Sequence, residues 1–310
     1  MKILVMGAGA IGGYVGGHLA ASGEDVIFCA RGQNLRALQE HGLEINGVRG
    51  ELRLAKVIAT DNPRQSAPYD LILFCVKSYD TEEAARQIAG SLKAGAAVMT
   101  LQNGIENEHR LAAMLGAENV MAGNSRIGAE LVAPGHIKHT SSGWVDFGEL
   151  DGRESERARN YKDVFERAEI FGRLIQDFPA ARWEKLVGNC GFNVAAALTR
   201  RRLGDLLDDP GANRLMRTLM SEALTVAHAE GATVSEELID RLLNHGRDQL
   251  KENRPSTLQD LNRGKRLEYD AISGAVLRAA RRHSIAVPVT QAMYALLKML
   301  DGAGPESQAK

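Results

Sequence analysis

Short apolar runs alternate with helical patterns through the first half of the chain. The runs predict strands at residues 2–6, 25–30, 52–59, 71–76, 97–101 and 120–122. The helical patterns lie at residues 11–21, 81–92 and 105–115. The run at 71–76 is almost continuously apolar, which is typical of a parallel strand covered on both faces. The alternation of strand and helix predicts a parallel, doubly wound sheet of the Rossmann type.

The pattern changes in the second half. Alternating residues between 128 and 150 predict short antiparallel strands that close the sheet edge, and residues 157–174 predict one helix. After Asp177 the patterns are helical, with loops expected around Pro210, Pro255 and Pro288. We therefore expect an α/β fold in which a Rossmann-type domain at residues 1–176 is followed by an all-helical domain at residues 177–310. The tail after Asp301 is rich in Gly, Pro and Ser and is expected to fray.

Composition and charge argue against several classes of protein. The net charge is -1, from 38 basic and 39 acidic residues, so neither nucleic acid nor a membrane surface is expected as a partner. No apolar run approaches the ~20 residues of a membrane span. The 3 cysteines are far apart, and no metal-ligand spacing is found among the 8 histidines. Together with the lack of a readable secretory signal, this predicts a cytoplasmic protein without a metal site.

A glycine-rich sequence joins the first strand to the first helix. It consists of Gly7, Ala8, Gly9, Ala10, Ile11 and Gly12, and it has the form GxGxxG. In a dinucleotide site the first glycine permits the tight turn, the second allows the backbone to approach the pyrophosphate, and the third lets helix pack on strand. The alternative is an ordinary glycine turn, and the strand before it and the helix after it favour the dinucleotide site.

The end of the second strand bears on the choice of cofactor. Enzymes that use NAD usually have an acidic residue there, which binds the ribose 2′-hydroxyl. This strand ends in Arg31, whose guanidinium suits a 2′-phosphate, so NADP(H) is the expected cofactor. A surface arginine without a ligand is the alternative.

Two more candidates follow strands at the edge where such sheets bind ligands. Lys77 follows the 71–76 strand and can approach the cofactor, unless it is a solvated loop lysine. Asn103 follows the 97–101 strand, beside Gly104, and is well placed for a nicotinamide ribose or a substrate. The alternatives for Asn103 are a helix N-cap and a left-handed turn residue.

The helical half carries a polar stripe at helical spacing. Lys185, Asn189 and Asn193 are separated by four residues each and lie on one helix face. Asparagine is a poor helix former, so we favour a functional stripe over an exposed polar face.

Two other candidates lie at expected helix starts. Ser256 is an expected N-cap, with Gln259 completing a capping box, at a helix end that also suits a substrate carboxylate. Glu268 opens the next helix, where an acid also favours the helix dipole.

Taken together, these motifs resemble those of the ketopantoate reductase (2-dehydropantoate 2-reductase) family, and the similarity runs from residue 1 to about residue 300. The resemblance implies NADPH-dependent reduction of a 2-keto acid, 2-dehydropantoate, to the 2-hydroxy acid in pantothenate biosynthesis. It implies that Lys185 is the proton donor, and that Glu268 orients Lys185 and touches the ligands. It also implies roles for the remaining residues: substrate binding by Asn189, Asn193 and Ser256, contact with both ligands by Asn103, and cofactor contact by Ala129.

The assigned chemistry is consistent with the residue types. Hydride attack on a ketone builds negative charge on its oxygen, and a protonated amine stabilises that charge and supplies the proton. One departure concerns the substrate: the family pattern has a further asparagine eighteen residues after the lysine, where this chain has Leu203.

Two alternatives stay open at this point. One is a related reductase for another 2-keto acid or a 3-hydroxy acid, and the other is a non-catalytic NADPH-binding sensor. The expected partner is a small 2-keto acid substrate, and a homodimer is the default assembly.

Overall fold

Two compact units make up the chain in the computed structural model, which describes residues 1–302. The first unit comprises Met1–Gln102 and Glu106–Phe178, and the second comprises Asn103–Ile105 and the described residues from Pro179 onward. The tail for which the sequence predicts fraying lies outside the described residues from position 303 onward. None of the helices within residues 1–302 combines the length and apolar character that a membrane crossing needs.

An eight-stranded sheet forms the centre of the first unit. From one edge to the other its strands are β12 (Gly172–Leu174), β11 (Val145–Glu149), β8 (Val120–Ser125), β7 (Leu92–Thr100), β6 (Tyr69–Phe74), β1 (Lys2–Met6), β2 (Asp25–Cys29) and β5 (Ile58–Thr60). The six strands from β8 to β5 are parallel, whereas β11 runs antiparallel to β8. This arrangement confirms the predicted doubly wound sheet.

Helices cover both faces of this sheet. They are α1 (Ala10–Ala21), α2 (Gly32–His41), α3 (Thr81–Ile88), α4 (Asn107–Leu115) and α5 (Glu156–Arg167). The alternation of side chains along β1 divides its apolar residues between two cores. Ile3 and Val5 join the core beneath α1 and α5, and Leu4 and Met6 join the core beneath α3 and α4.

A second, four-stranded sheet packs against α1. Its order is β4 (Gly50–Leu54), β3 (Leu43–Gly47), β10 (His136–Ser141) and β9 (Gly128–Ala133). The single strand predicted at 52–59 is wrong, because this segment divides into β4 and β5, which belong to different sheets. The antiparallel strands predicted after residue 128 form, but β9 and β10 join the second sheet, and β11 pairs at the main sheet.

The helix predicted at 157–174 is too long. It ends at Arg167, and Glu169 has a φ of 55°, a left-handed conformation that a helix cannot continue through. Residues Gly172–Leu174 then pair with β11 as a parallel strand.

The second unit is helical, as predicted, and none of its described residues lies in a strand. Its helices are α6 (Phe178–Thr199), α7 (Leu203–Asp208), α8 (Pro210–Ala229), α9 (Leu238–Gln249), α10 (Ser256–Asn262), α11 (Ala275–Arg282) and α12 (Pro288–Gly302). A π-helical stretch, Asp270–Gly274, precedes α11. The loops expected around the three prolines end at them: Pro210 and Pro288 open α8 and α12, and Pro255 is the last residue before α10. Proline suits the first turn because its missing N–H needs no partner there.

Candidate active site

The first and third glycines of the loop after β1 are required by close packing. Gly7 has a φ of +100°, and a Cβ on it would lie 2.8 Å from the backbone nitrogen of Val76. A Cβ on Gly12 would overlap the carbonyl oxygen of Gly7 and would lie 2.9 Å from Cγ1 of Val5. These contacts explain the tight turn and the close approach of α1 to β1, which are the roles expected for these positions.

The middle glycine has a different environment. A Cβ on Gly9 would meet no heavy atom within 4 Å in the described chain. Gly9 is also the N-cap of α1, and no side chain of the described residues caps this helix. The first N–H groups of a helix have no partner inside it and carry partial positive charge. Open space beside an uncapped helix end fits the pyrophosphate of a dinucleotide.

Arg31 is exposed and lies at the N-cap of α2, directly beyond the carboxyl end of β2. Among the described residues it makes no ion pair. Burial raises the pKa of the Cys29 thiol to about 11, with Arg31 opposing and Asp61 reinforcing the rise. Asp61 follows β5, the neighbour of β2, so a carboxylate reaches this edge from the adjacent strand. Asp61 is not evident from the sequence, because the pairing of β5 with β2 is not encoded at the end of β2 itself.

The loops after β6 and β7 are tied together by Gln102, which is buried. Its Nε2 donates to the carbonyl oxygen of Val76 and to Oγ1 of Thr81, both at 2.9 Å. Lys77 lies in the loop that Gln102 holds, and its side chain is half-buried. Ala129 lies on β9 and packs, half-buried, against the core beneath α1.

The turn at Asn103 belongs to the second unit. Nδ2 of Asn103 lies 3.5 Å from Oε2 of Glu268, a long and therefore weak hydrogen bond. Neither alternative for Asn103 holds: the N-cap of α4 is Glu106, and Asn103 is not in the left-handed region. Glu268 is 5% exposed, so its carboxylate is buried, and it lies directly before the helical residues that begin at Tyr269. Its carbonyl accepts from the N–H groups of Ala271 and Ile272, at the start of the π-helical stretch.

The polar stripe lies on α6, as its spacing predicts. Lys185 and Asn189 are half-buried, and Asn193 is 5% exposed. Nδ2 of Asn193 donates to Oγ of Ser256 at 3.4 Å, which brings two of the predicted substrate residues together. An exposed polar face would not be buried in this way, so that alternative does not fit.

Two expectations about individual positions need correction. Ser256 is the first residue of α10, not its N-cap, and the Gln259 amide donates to the carbonyl of Arg254 at 2.8 Å, so no capping box forms. Leu203, expected near the substrate because of the family pattern, is 1% exposed in the core of the helical unit. It is a packing residue at the start of α7.

Two polar residues near the predicted site were missed. Arg182 lies on α6, is 5% exposed, and donates from Nη1 to the carbonyl oxygen of Gly104 at 2.9 Å. Burial lowers the pKa of its guanidinium to about 9. The sequence signal that could have identified Arg182 is its position between apolar residues of the helix that also carries Lys185. Asn34 on α2 donates from Nδ2 to the carbonyl oxygen of Ala8 at 2.8 Å, and nothing in the local sequence indicates this contact.

Within residues 1–302 no three or more His, Cys, Asp or Glu side chains are grouped so that they could hold a metal ion.

Comparison with known proteins extends over the whole chain. The ketopantoate reductase PanE/ApbA profile matches residues 3–152, and the profile of the PanE/ApbA C-terminal domain matches residues 177–301. The 2-dehydropantoate 2-reductase of Halobacterium salinarum is 33% identical, over 98% of this chain and 100% of the relative.

Solved structures agree with this likeness. The 2-dehydropantoate 2-reductase of Geobacter metallireducens is 31% identical with a TM-score of 0.92, covering 96% of this chain and 99% of that one. A D-mandelate dehydrogenase in complex with NADH is 25% identical with a TM-score of 0.89, covering 98% of this chain and 99% of that one. The chain belongs to the ketopantoate reductase PanE/ApbA family of NAD(P)-dependent oxidoreductases that act on small keto acids.

Proposed function

We propose that this protein reduces 2-dehydropantoate to pantoate with NADPH, with Lys185 as the proton donor. The observation that carries the proposal is the half-buried stripe on α6, in which the lysine shares one helix face with Asn189 and Asn193. Membership of the family supplies the reaction type, and relatives named 2-dehydropantoate 2-reductase supply the substrate.

The proposed roles follow from the chemistry of each side chain. The ammonium of Lys185 stabilises the oxygen on which charge develops and then protonates it. Glu268 is a buried carboxylate that orients the lysine and contacts the ligands, and Asn103 supports it through the 3.5 Å amide contact. Asn189, Asn193 and Ser256 bind the keto acid through amide and hydroxyl groups.

The cofactor is held, in this proposal, by the glycine loop from Gly7 to Gly12 together with Arg31, Lys77, Asn103, Ala129 and Glu268. When bound, the nicotinamide supplies the hydride. The uncapped start of α1 suits the pyrophosphate, and the exposed guanidinium of Arg31 suits the 2′-phosphate. Asp61 at the same edge would disfavour a phosphate, so the preference for NADPH over NADH requires its own measurement.

The dissociation constants of NADPH and NADH test this preference. Arg31→Ala is expected to weaken NADPH by ten- to a hundredfold and to change NADH by less than about threefold, because only NADPH has a phosphate there. Asp61→Asn is the companion variant, and it should strengthen NADPH by removing a like charge. Equal losses of both dinucleotides in Arg31→Ala would contradict the assignment of the 2′-phosphate.

A second candidate is the reduction of another 2-keto acid. The similarity to a D-mandelate dehydrogenase favours it, as does the buried position of Leu203, where the family pattern has an asparagine. NADPH oxidation with 2-dehydropantoate, a plain branched 2-keto acid and an aryl 2-keto acid separates the candidates. The highest kcat/KM with 2-dehydropantoate supports the main proposal, and a higher value with either other acid supports the second.

Assembly and location are also proposals. A homodimer is the default for an enzyme of this size, and α12 exposes Leu296 and Met299, which suit such a contact. All three cysteines are free thiols, as is usual in the reducing cytoplasm. Light scattering measures the assembly, and cell fractionation measures the location.

A further inference from the structure

A single amide side chain connects three segments of the first unit. Nδ2 of Asn34 donates to the carbonyl oxygen of Ala8 in the glycine loop, and Oδ1 of Asn34 accepts from the backbone N–H of Gly135, both at 2.8 Å. Asn34 lies in the first turn of α2, and Gly135 lies in the turn between β9 and β10. The amide therefore links the loop, the helix that follows β2, and the second sheet.

The hydrogen bond to the Ala8 carbonyl oxygen constrains the peptide group that joins Ala8 to Gly9. It belongs to the peptide group whose N–H is that of Gly9, and this N–H donates to the Gly7 carbonyl at 2.8 Å. The N–H groups of Gly7 and Ala8 both donate to the carbonyl of Cys29, at 3.2 and 2.9 Å. The backbone thus fixes one side of the loop, and the Asn34 side chain fixes the other. Because peptide groups are planar, the direction of the Ala8 carbonyl determines the orientation of the Gly9 peptide group.

The position of Asn34 on α2 adds a second consequence. Arg31 is the N-cap of the same helix, less than one turn earlier, so the Asn34 contact also fixes the start of α2 relative to the loop. We infer that Asn34 is a positioning residue for the dinucleotide, holding the glycine loop in place and in register with the helix that presents Arg31. The inference rests on the proposed cofactor role of these segments, but not on the identity of the keto acid.

The same helix offers a matched control. Nε2 of Gln39 donates to the carbonyl oxygen of Ala59 at 3.0 Å, so it is also an amide that binds a backbone carbonyl. Gln39 does not contact the glycine loop. Asn34→Leu and Gln39→Leu each remove one side-chain amide from α2, and only the first should affect the cofactor. Asn34→Asp keeps the acceptor for Gly135 while removing the donor to Ala8.

The test measures dissociation constants of NADPH and NADH by calorimetry, kcat at saturating cofactor, and the midpoint of chemical unfolding. We expect Asn34→Leu and Asn34→Asp to weaken both dinucleotides by roughly ten- to a hundredfold, as for the loss of a partly buried hydrogen bond that holds a binding site. The kcat at saturating cofactor should stay within about threefold, and Gln39→Leu should stay within about twofold for both dinucleotides.

Wild-type affinity in Asn34→Leu, or an equal loss in Gln39→Leu, would overturn the inference. An effect on kcat with unchanged dissociation constants would overturn it as well. If Asn34→Leu does not fold, the comparison of Asn34→Asp with wild type decides by the same criteria. A wild-type protein that binds a dinucleotide but reduces none of the keto acids refutes the proposed function and leaves the binding comparison intact.

Discussion

Adding one methyl group to the glycine loop should lower stability at one position and cofactor affinity at another, three residues apart. In Gly12→Ala the new Cβ would overlap the Gly7 carbonyl oxygen and would lie 2.9 Å from Cγ1 of Val5 and 3.1 Å from Cβ of Cys75. Two of these three neighbours are the backbone and a buried strand side chain, which cannot move away easily. In Gly9→Ala the new methyl meets nothing within 4 Å in the described chain.

The magnitudes follow from these contacts. Overpacking a buried site costs about 1–3 kcal/mol, and replacing glycine by alanine inside a helix returns about 0.5–1 kcal/mol. We therefore expect Gly12→Ala to lower the free energy of unfolding by about 1–2 kcal/mol. Gly9→Ala should cost less than about 1 kcal/mol: alanine is a much poorer N-cap than glycine, but the difference between them stays below the ~1 kcal/mol that a good capping side chain contributes. The Gly9 methyl occupies the space proposed for the pyrophosphate, so NADPH affinity should fall at least ~10-fold, the equivalent of ~1.4 kcal/mol.

Chemical denaturation and NADPH titration of both variants separate the two effects. Gly12→Ala is expected to lower the free energy of unfolding whether or not cofactor is present. Gly9→Ala is expected to lower the affinity for NADPH and to leave the free energy of unfolding nearly unchanged. If Gly9→Ala binds NADPH as wild type does, the pyrophosphate is not held at this loop. If the two variants lose stability equally, close packing is not the reason for glycine at position 12.

Three further predictions concern Lys185 as the proposed proton donor, Leu203 at the position where the family pattern has asparagine, and the loss of stability at low pH. Lys185→Met should lower kcat by roughly 10² to 10⁴ while the NADPH dissociation constant stays near the wild-type value, and near-normal turnover would remove Lys185 from the mechanism. Leu203→Asn should lower the free energy of unfolding by roughly 2–4 kcal/mol and should not improve kcat/KM for 2-dehydropantoate, since it places an amide in an apolar core. Burial lowers the pKa of His139, and also of His18, below the ordinary value of 6.5, so the unfolded chain takes up protons before the folded protein does as pH falls. Stability should therefore decline below about pH 6.5, and His139→Phe should reduce this decline between pH 7 and 5 without changing it above pH 7; equal slopes for variant and wild type would refute the assignment.

The sequence predicts the main sheet well because its strands are apolar on both faces. An apolar run such as that of β6 can be recognised in the sequence without knowing which strands pair with it. The second sheet was not predicted as a sheet, because β3 pairs with β10, about ninety residues later in the chain. The split of residues 50–60 between two sheets has the same cause: β4 and β5 differ in their partners and not in their composition.

The site shows the same division between local and distant information. The stripe on α6 was readable because helical spacing alone brings its residues to one face. The contacts of Arg182 and Asn34 could not be predicted in this way, because their partners Gly104 and Ala8 lie 78 and 26 positions away along the chain. A buried arginine in a helix is a sequence signal only when the burial of its neighbours is already known.

The buried position of Leu203 shifts the question of substrate choice to other residues. A leucine that is 1% exposed in the helical core contributes no hydrogen bond to a substrate hydroxyl. The polar groups proposed to bind the substrate in the same unit are Asn189, Asn193 and Ser256, and the last two contact each other at 3.4 Å. A site whose amide and hydroxyl form hydrogen bonds with the substrate discriminates against an analogue that leaves these groups unpaired. An apolar pocket discriminates only weakly between a substrate and its analogue. If this protein prefers 2-dehydropantoate over acids that lack its hydroxyl, we expect the preference to depend on these three proposed substrate residues, and replacing one of them by alanine should lower specificity more than turnover.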